Sequence, residues 1–156
     1  MEIFGLPVHV LVVHGAVVLA PLAALSTIAF AVLPKWRYLT RWPTALLAVA
    51  ATGAVWGARL SGEDLQKDRQ LPQTLIDTHE SRGEVLALVM IAFLVLTLLG
   101  ARMLGGRSGL ISGRGEVADA VPWAEKLIPL ALVVVSIVAL VWVTLTGDAG
   151  ARATWG

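Results

Sequence analysis

The chain has 156 residues, of which 57% are hydrophobic and only 15% are charged, and its mean hydropathy is +0.79. Soluble domains have roughly 45–50% apolar and about 25% charged residues, and a fold this small cannot hide such an excess inside a globule. A soluble enzyme is therefore excluded, and the expected surrounding is the lipid bilayer. The net charge of +1 gives no basis for nucleic-acid binding. The lack of cysteine excludes disulfides, thiol catalysis and cysteine-ligated metals.

Four apolar segments are each long enough to cross a bilayer, which takes about 20 residues in a helix. In chain order they cover about residues 8–33, 43–60, 79–104 and 122–146. Their apolar residues are continuous rather than alternating, which indicates helices and not the strands of a membrane barrel. The first segment is too long for a signal peptide and lacks a basic start, so we expect it to be retained. The sequence thus predicts an all-α fold, a single-domain integral membrane four-helix bundle, and shows no convincing internal repeat.

The charges that flank the segments predict the orientation of the bundle in the membrane. The side that holds residues 34–42 and 102–126 carries a net charge of +4, whereas the opposite side, with both termini and residues 61–78, carries −3. An excess of Lys and Arg marks the cytoplasmic side of a membrane protein. We therefore expect an N-out, C-out protein of the bacterial cytoplasmic (inner) membrane, with both termini outside.

The three histidines, His9, His14 and His79, lie in one layer at the predicted outer ends of the first and third helices. With a rise of about 1.5 Å per residue, each lies roughly 32–39 Å from the basic residue at the inner end of its own helix. Asp148 reaches a similar height on the fourth helix. His9 and His14 are about 140° apart around the helix axis, so they are expected to address different neighbours or different sites. His14 also lies inside an apolar run, where an ionisable side chain is costly and usually functional.

The region before the third apolar segment is expected to be an outer loop covering residues 61–78, with the charged run 62–69 as a solvated turn. Asp77 followed by Glu80 resembles a capping box. This pattern predicts that the third helix begins after Asp77 and that His79 lies in its first turn.

Two imidazoles on facing helices can bind a haem iron from both sides, and helix bundles build cofactor sites from such side chains. The sequence therefore predicts a haem b between the first and third helices, with His14 and His79 as axial ligands and His9 as a further cofactor-binding residue. One alternative is transition-metal binding or transport at the outer face by the three histidines and Asp148. Another is a non-catalytic accessory subunit of a larger membrane complex, in a homo- or hetero-oligomer. Nothing in the sequence supports a hydrolase.

The N-terminal sequence Phe-Gly-Leu-Pro-Val-His-Val-Leu-Val-Val-His-Gly, which contains His9 and His14, resembles that of a widespread bacterial group of small four-helix membrane proteins of unknown function. A histidine that begins the third helix, here His79, and a Thr-Gly-x-x-Gly-Ala-Arg ending, here residues 146–152, extend the similarity over nearly the whole chain. The resemblance implies a haem b or redox-linked domain that uses these three histidines.

Some members of this group look fused to a Rieske-type iron–sulfur domain. That implies an electron-transfer subunit or anchor, rather than a stand-alone enzyme, with a Rieske-type, quinone or other respiratory-chain partner. Many members have histidine where this chain has Asp148, which implies that one site has been lost or changed here.

Overall fold

The computed structural model describes residues 2–3, 6–69, 73–104 and 123–155. Four long helices make up most of this part of the chain: α1 (Val8–Val32), α2 (Arg37–Arg69), α3 (Gln73–Met103) and α4 (Ala124–Trp155). A 3₁₀ turn at Pro34–Trp36 joins α1 to α2, and two short strands, Glu2–Ile3 and Leu6–Pro7, pair antiparallel before α1. The predicted all-α four-helix bundle is confirmed.

The helices pack in a ring in chain order, and α1 closes the ring by contacting α4. Their directions alternate, so the ends of α2 and α4 lie beside the starts of α1 and α3. We call the end of the bundle that holds His9 and His79 the histidine end. Near the opposite end, a hydrogen bond of 2.7 Å between the hydroxyls of Ser26 and Thr44 ties α1 to α2.

All four helices are long and apolar enough to cross a membrane, with spans at His9–Val32, Pro34–Asp64, Asp77–Met103 and Ala124–Ala153. The outward surface of the bundle carries large apolar side chains; Val18, Leu46 and Leu88 are 64–69% exposed. Hydrocarbon solvates such a surface, whereas water would not. The chain is therefore a multi-pass membrane protein whose helices contact the lipid bilayer.

Small residues dominate the core where α1 faces α2. The buried alanines of these two helices are Ala16, Ala20, Ala23, Ala24, Ala31, Ala45, Ala48 and Ala51. Lipid offers no hydrophobic driving force for helix association, so close approach of the backbones and the dispersion contacts that it allows stabilise such a pair. Larger side chains of α3, namely Leu86, Met90 and Phe93, fill the remaining core.

The two helical hairpins repeat one pattern of burial, although their sequences show no convincing internal repeat. A shift of 70 residues matches the buried positions 16, 20, 23, 27, 30 and 31 of α1 to the buried positions 86, 90, 93, 97, 100 and 101 of α3. A shift of 88 residues matches the buried positions 44, 48, 51 and 55 of α2 to 132, 136, 139 and 143 of α4. The repeat is hidden in the sequence because only His9, Thr27 and Ala31 of α1 recur in α3 at that shift.

Helices α2, α3 and α4 extend beyond their apolar segments. α2 continues through the charged run 62–69 and α3 already begins at Gln73, so the outer loop predicted for residues 61–78 is wrong. Asp77 lies in the second turn of α3 and is not its N-cap, and His79 lies in the second turn rather than the first. The physical reason is that apolar length reports only the part of a helix inside the bilayer, while the backbone hydrogen bonds continue into the polar flanks.

Candidate cofactor site at the histidine end

A cavity of about 180 Å³ lies at the histidine end of the bundle. One water needs only roughly 10–15 Å³, so the cavity has room for a larger ligand. All four helices contribute to its wall. Its ionisable lining residues are two histidines and four charged residues: His9, Arg59, Glu63, His79, Glu80 and Glu84. The rest of the lining is apolar or small, which keeps most of the cavity free of polar contacts.

His9 is held against α2 in a single orientation. Its Nδ1 lies 2.9 Å from the carbonyl oxygen of Ala58 and 3.2 Å from Oγ of Ser61. A carbonyl only accepts hydrogen bonds, so Nδ1 carries the proton and donates it, and Nε2 of the neutral ring keeps its lone pair. Gly62 gives the ring its space, because a Cβ there would lie 3.1 Å from Cε1 of His9. The imidazole is thus fixed in the tautomer that leaves Nε2 available as a ligand.

His79 repeats this arrangement on the other hairpin. Its Nδ1 lies 3.1 Å from the carbonyl oxygen of Thr146 and therefore donates to it, which again leaves the Nε2 lone pair. A Cβ on Gly150 would lie 3.0 Å from Cε1 of His79. The shift of 70 residues that relates α1 to α3 matches position 9 to position 79. The shift of 88 residues that relates α2 to α4 matches positions 58 and 62 to positions 146 and 150. The repeat of the fold is therefore also a repeat of the site.

The structure brings His9 and His79 together. Both line the same cavity, from helices that lie diagonally across the ring. Neither is more than partly exposed. Two imidazoles with available Nε2 atoms thus line one cavity.

His14 is not part of this group. Its side chain is exposed on the outside of α1, its Nδ1 donates to the carbonyl oxygen of Val10 at 2.6 Å, and it does not line the cavity. The structure therefore does not bring His14 and His79 together. The sequence predicts His14 as the partner of His79, but His9 is the histidine that lines the cavity with it. The difference follows from the rotation of α1, which turns Ala16 and Ala20 into the core and His14 away from it.

Asp148 lies outside the cavity lining and is engaged in ion pairs. Its Oδ2 is 3.0 Å from Nε of Arg152 and 3.8 Å from Nη1 of Arg82. Within the described ranges, no group of three or more His, Cys, Asp or Glu side chains is placed to hold a metal ion. The ligand set of three histidines and Asp148 is therefore not assembled.

Arg59 is a cavity residue that the sequence did not single out. Its Nη2 lies 3.2 Å from Oε1 of Glu84 on α3 and 3.3 Å from Oε1 of Glu63 on its own helix. Its guanidinium carbon lies 5.5 Å from the ring centre of Trp56. Its buried Nε has no hydrogen-bond partner, and an unsatisfied buried donor is costly. The spacing Trp56-x-x-Arg59 at the end of an apolar segment is the signal that could have identified it.

Comparisons of the chain with protein-family models, with curated proteins and with solved structures find no match. The resemblance to the bacterial four-helix group stays a prediction that rests on the quoted residues.

Proposed function

We propose that this chain is a membrane-embedded haem b-binding protein in which His9 and His79 are the axial ligands. The observation that carries the proposal is the shared orientation of the two rings. Each donates Nδ1–H to a backbone carbonyl, at 2.9 Å and 3.1 Å, and so keeps an Nε2 lone pair on a ring that lines the shared cavity. Histidines that bind metals generally have such a partner on the other ring nitrogen, because it fixes the tautomer and raises the basicity of the ligand atom.

The remaining features of the cavity support haem over a lone metal ion. A porphyrin supplies four ligands to its iron, so the protein needs to supply only two, which is the number of imidazoles here. Val13, Val55 and Val143 give apolar walls suited to a flat ring. Arg59 lines the cavity, and its guanidinium is a group suited to a propionate carboxylate. When bound, haem supplies one-electron redox chemistry, and the protein residues would hold it, shield it from water and tune its potential.

We further infer that the protein serves electron transfer at the outer face of a bacterial cytoplasmic membrane. The side of the chain that includes the histidine end carries a net charge of −3 and the opposite side +4, which by the positive-inside rule favours an orientation with the histidine end and both termini outside. The electron partner would be a respiratory-chain component, either a quinone or a Rieske-type domain. A subunit or anchor with this role suits a chain of four spans with a cavity at one end.

The test is an absorption spectrum of the full chain, purified in mild detergent from cells with ample haem. We expect a Soret band, a sharp α band after reduction and stoichiometric haem b in a pyridine haemochrome assay. Protein that shows neither a Soret band nor extractable haem contradicts the proposal.

Transition-metal binding remains the second candidate, and its ligand set is the weaker one. It needs His14 or Asp148 beside the cavity histidines, whereas His14 is on the outside of α1 and Asp148 is paired with Arg152. Elemental analysis of the same purified protein separates the two candidates. Stoichiometric zinc, copper or nickel without haem would favour the metal site.

A further inference from the structure

The two lateral sides of the cavity differ in chemistry. On the side between α2 and α3, Nη2 of Arg59 and Oε1 of Glu84 form an ion pair of 3.2 Å across the gap. On the side between α4 and α1, the same shifts match Gly147 to Arg59 and His14 to Glu84. Gly147 has no side chain with which to reach across. The ion pair that bridges one side is therefore missing from the other.

Between α1 and α4 the cavity reaches the lateral surface of the bundle. Val17 and Gly147 line the cavity and are also exposed, Val17 to 49%. A Cβ on Gly147 would meet nothing within 4 Å. Val13 and Val143 continue the wall inward. We call this passage the α1–α4 opening; because both helices are within their membrane spans at this height, it faces lipid.

His14 lies at the edge of the α1–α4 opening, three residues before Val17 and so on a neighbouring part of the helix surface. Its Nδ1 proton is committed to the carbonyl of Val10, which leaves Nε2 as a hydrogen-bond acceptor. A polar group exposed within a membrane span is expensive unless it meets a partner. The opening thus combines apolar walls with one acceptor atom to which no side chain that the structure describes donates a hydrogen bond.

We propose that the α1–α4 opening binds a hydroquinone from the bilayer, with one hydroxyl donating a hydrogen bond to Nε2 of His14 and the ring against Val17 and Gly147. The inference rests on the proposed function, because a haem in the cavity would be the redox neighbour of that ring. A hydroquinone fits in two respects: it dissolves in lipid, and it carries hydroxyl donors. The oxidised quinone offers only acceptors, so it does not complement an Nε2 atom that is itself an acceptor.

Equilibrium binding of decylubiquinol to the full chain in lipid nanodiscs tests this inference. His14→Ala removes the acceptor and is expected to weaken binding about 3- to 10-fold, the effect of one hydrogen bond. Gly147→Leu fills the opening and is expected to weaken binding about tenfold or more. Gly53→Leu and Leu46→Ala are the matched controls, since both positions are lipid-exposed on α2 and neither lines the cavity. Wild-type protein should also bind decylubiquinol more tightly than decylubiquinone, and His14→Ala should lose that preference.

Equal affinity of the wild type, His14→Ala and Gly147→Leu for decylubiquinol would overturn the inference, as would equal wild-type affinity for decylubiquinol and decylubiquinone. The preference for the reduced form is a ratio within one variant, so it does not depend on how much of that variant is folded. The Soret band of the same samples keeps the two proposals apart. Samples that carry haem but bind the ligand equally in all variants refute the hydroquinone site alone, whereas wild-type protein without haem refutes the proposed function. Loss of haem in Gly147→Leu alone does not refute it, because Gly147 also lines the cavity.

Discussion

His79 packs against Gly150 so closely that a Cβ on the glycine would lie 3.0 Å from Cε1 of the imidazole. His9 has the same relationship to Gly62, at 3.1 Å. Both separations are shorter than an ordinary van der Waals contact between carbons, which is about 3.5–4.0 Å. Each ring therefore keeps its position because the neighbouring helix has no side chain there, and the two glycines help to aim both Nε2 atoms.

Adding one methyl group at either glycine should disturb the site without removing a ligand. In Gly62→Ala and Gly150→Ala the imidazole must shift by a few tenths of an ångström, which loosens its bond to the carbonyl. We expect haem affinity to fall roughly tenfold, as for other changes beside a metal ligand. Haem titration of the apoprotein measures this. Gly53→Ala is the control because a Cβ there meets nothing within 4 Å; an equal loss in that variant would mean that the contact is not the cause.

His14→Ala should leave the haem spectrum unchanged. The side chain lies on the outside of α1 and is not part of the cavity wall, so its removal takes away no iron ligand. The Soret and α bands of the variant, compared with those of the wild type, measure this. A shift to a high-spin spectrum, or loss of haem, would instead support His14 and His79 as the haem ligands, which is the pairing that the sequence predicts.

Two core hydroxyls should be dispensable. Thr27 and Thr97 occupy matching positions of the repeat, both are 0% exposed, and neither Oγ1 has a hydrogen-bond partner. Valine has nearly the same shape, so Thr27→Val and Thr97→Val should each raise the free energy of unfolding by about 1 kcal/mol. Thr52→Val, which removes the 3.2 Å bond from Thr52 to the carbonyl of Met90, should instead lower it by roughly 0.6 kcal/mol.

Unfolding in mixed detergent micelles, followed by circular dichroism, measures all three threonine variants. If Thr27→Val and Thr97→Val destabilise the bundle as much as Thr52→Val does, those two hydroxyls must be hydrogen-bonded in the membrane.

The orientation can be read with single cysteines, because the chain has none of its own. Asp64 at the histidine end and Lys35 at the opposite end are both exposed. We expect a membrane-impermeant maleimide to label Asp64→Cys in intact spheroplasts, and Lys35→Cys only after the membrane is permeabilised. Labelling in the reverse order would place the histidine end in the cytoplasm.

The helices could be predicted because apolar length is a property of the chain alone. The partner of His79 could not be predicted in the same way. It depends on the rotation of α1 about its own axis, which is set by packing against the other helices. The stripe Ala16, Ala20 and Ala23 marks the packed face of α1, and His9 shares that face, being seven residues before Ala16. Weighing these alanines against the apolar setting of His14 would have pointed to His9.

The repeat of the burial pattern could not be predicted from the sequence for a different reason. Matching positions preserve burial and contacts but not residue type; Ala20 and Ala23 on α1 match Met90 and Phe93 on α3. Phe30 on α1 conversely matches Gly100 on α3, so a small residue on one hairpin can be matched by a large one on the other, and divergence between the halves is part of the packing. The roles of Gly62 beside His9 and Gly150 beside His79 can be recognised only when the neighbouring helices are known.

The most direct test of the pairing is the absorption spectrum of His9→Ala and His79→Ala, recorded beside the wild type at equal protein concentration. We predict that either substitution alone abolishes the low-spin α band of the reduced protein, because each removes one of the two proposed haem ligands. Wild-type protein with bound haem, together with an unchanged low-spin spectrum in either variant, would contradict ligation by His9 and His79.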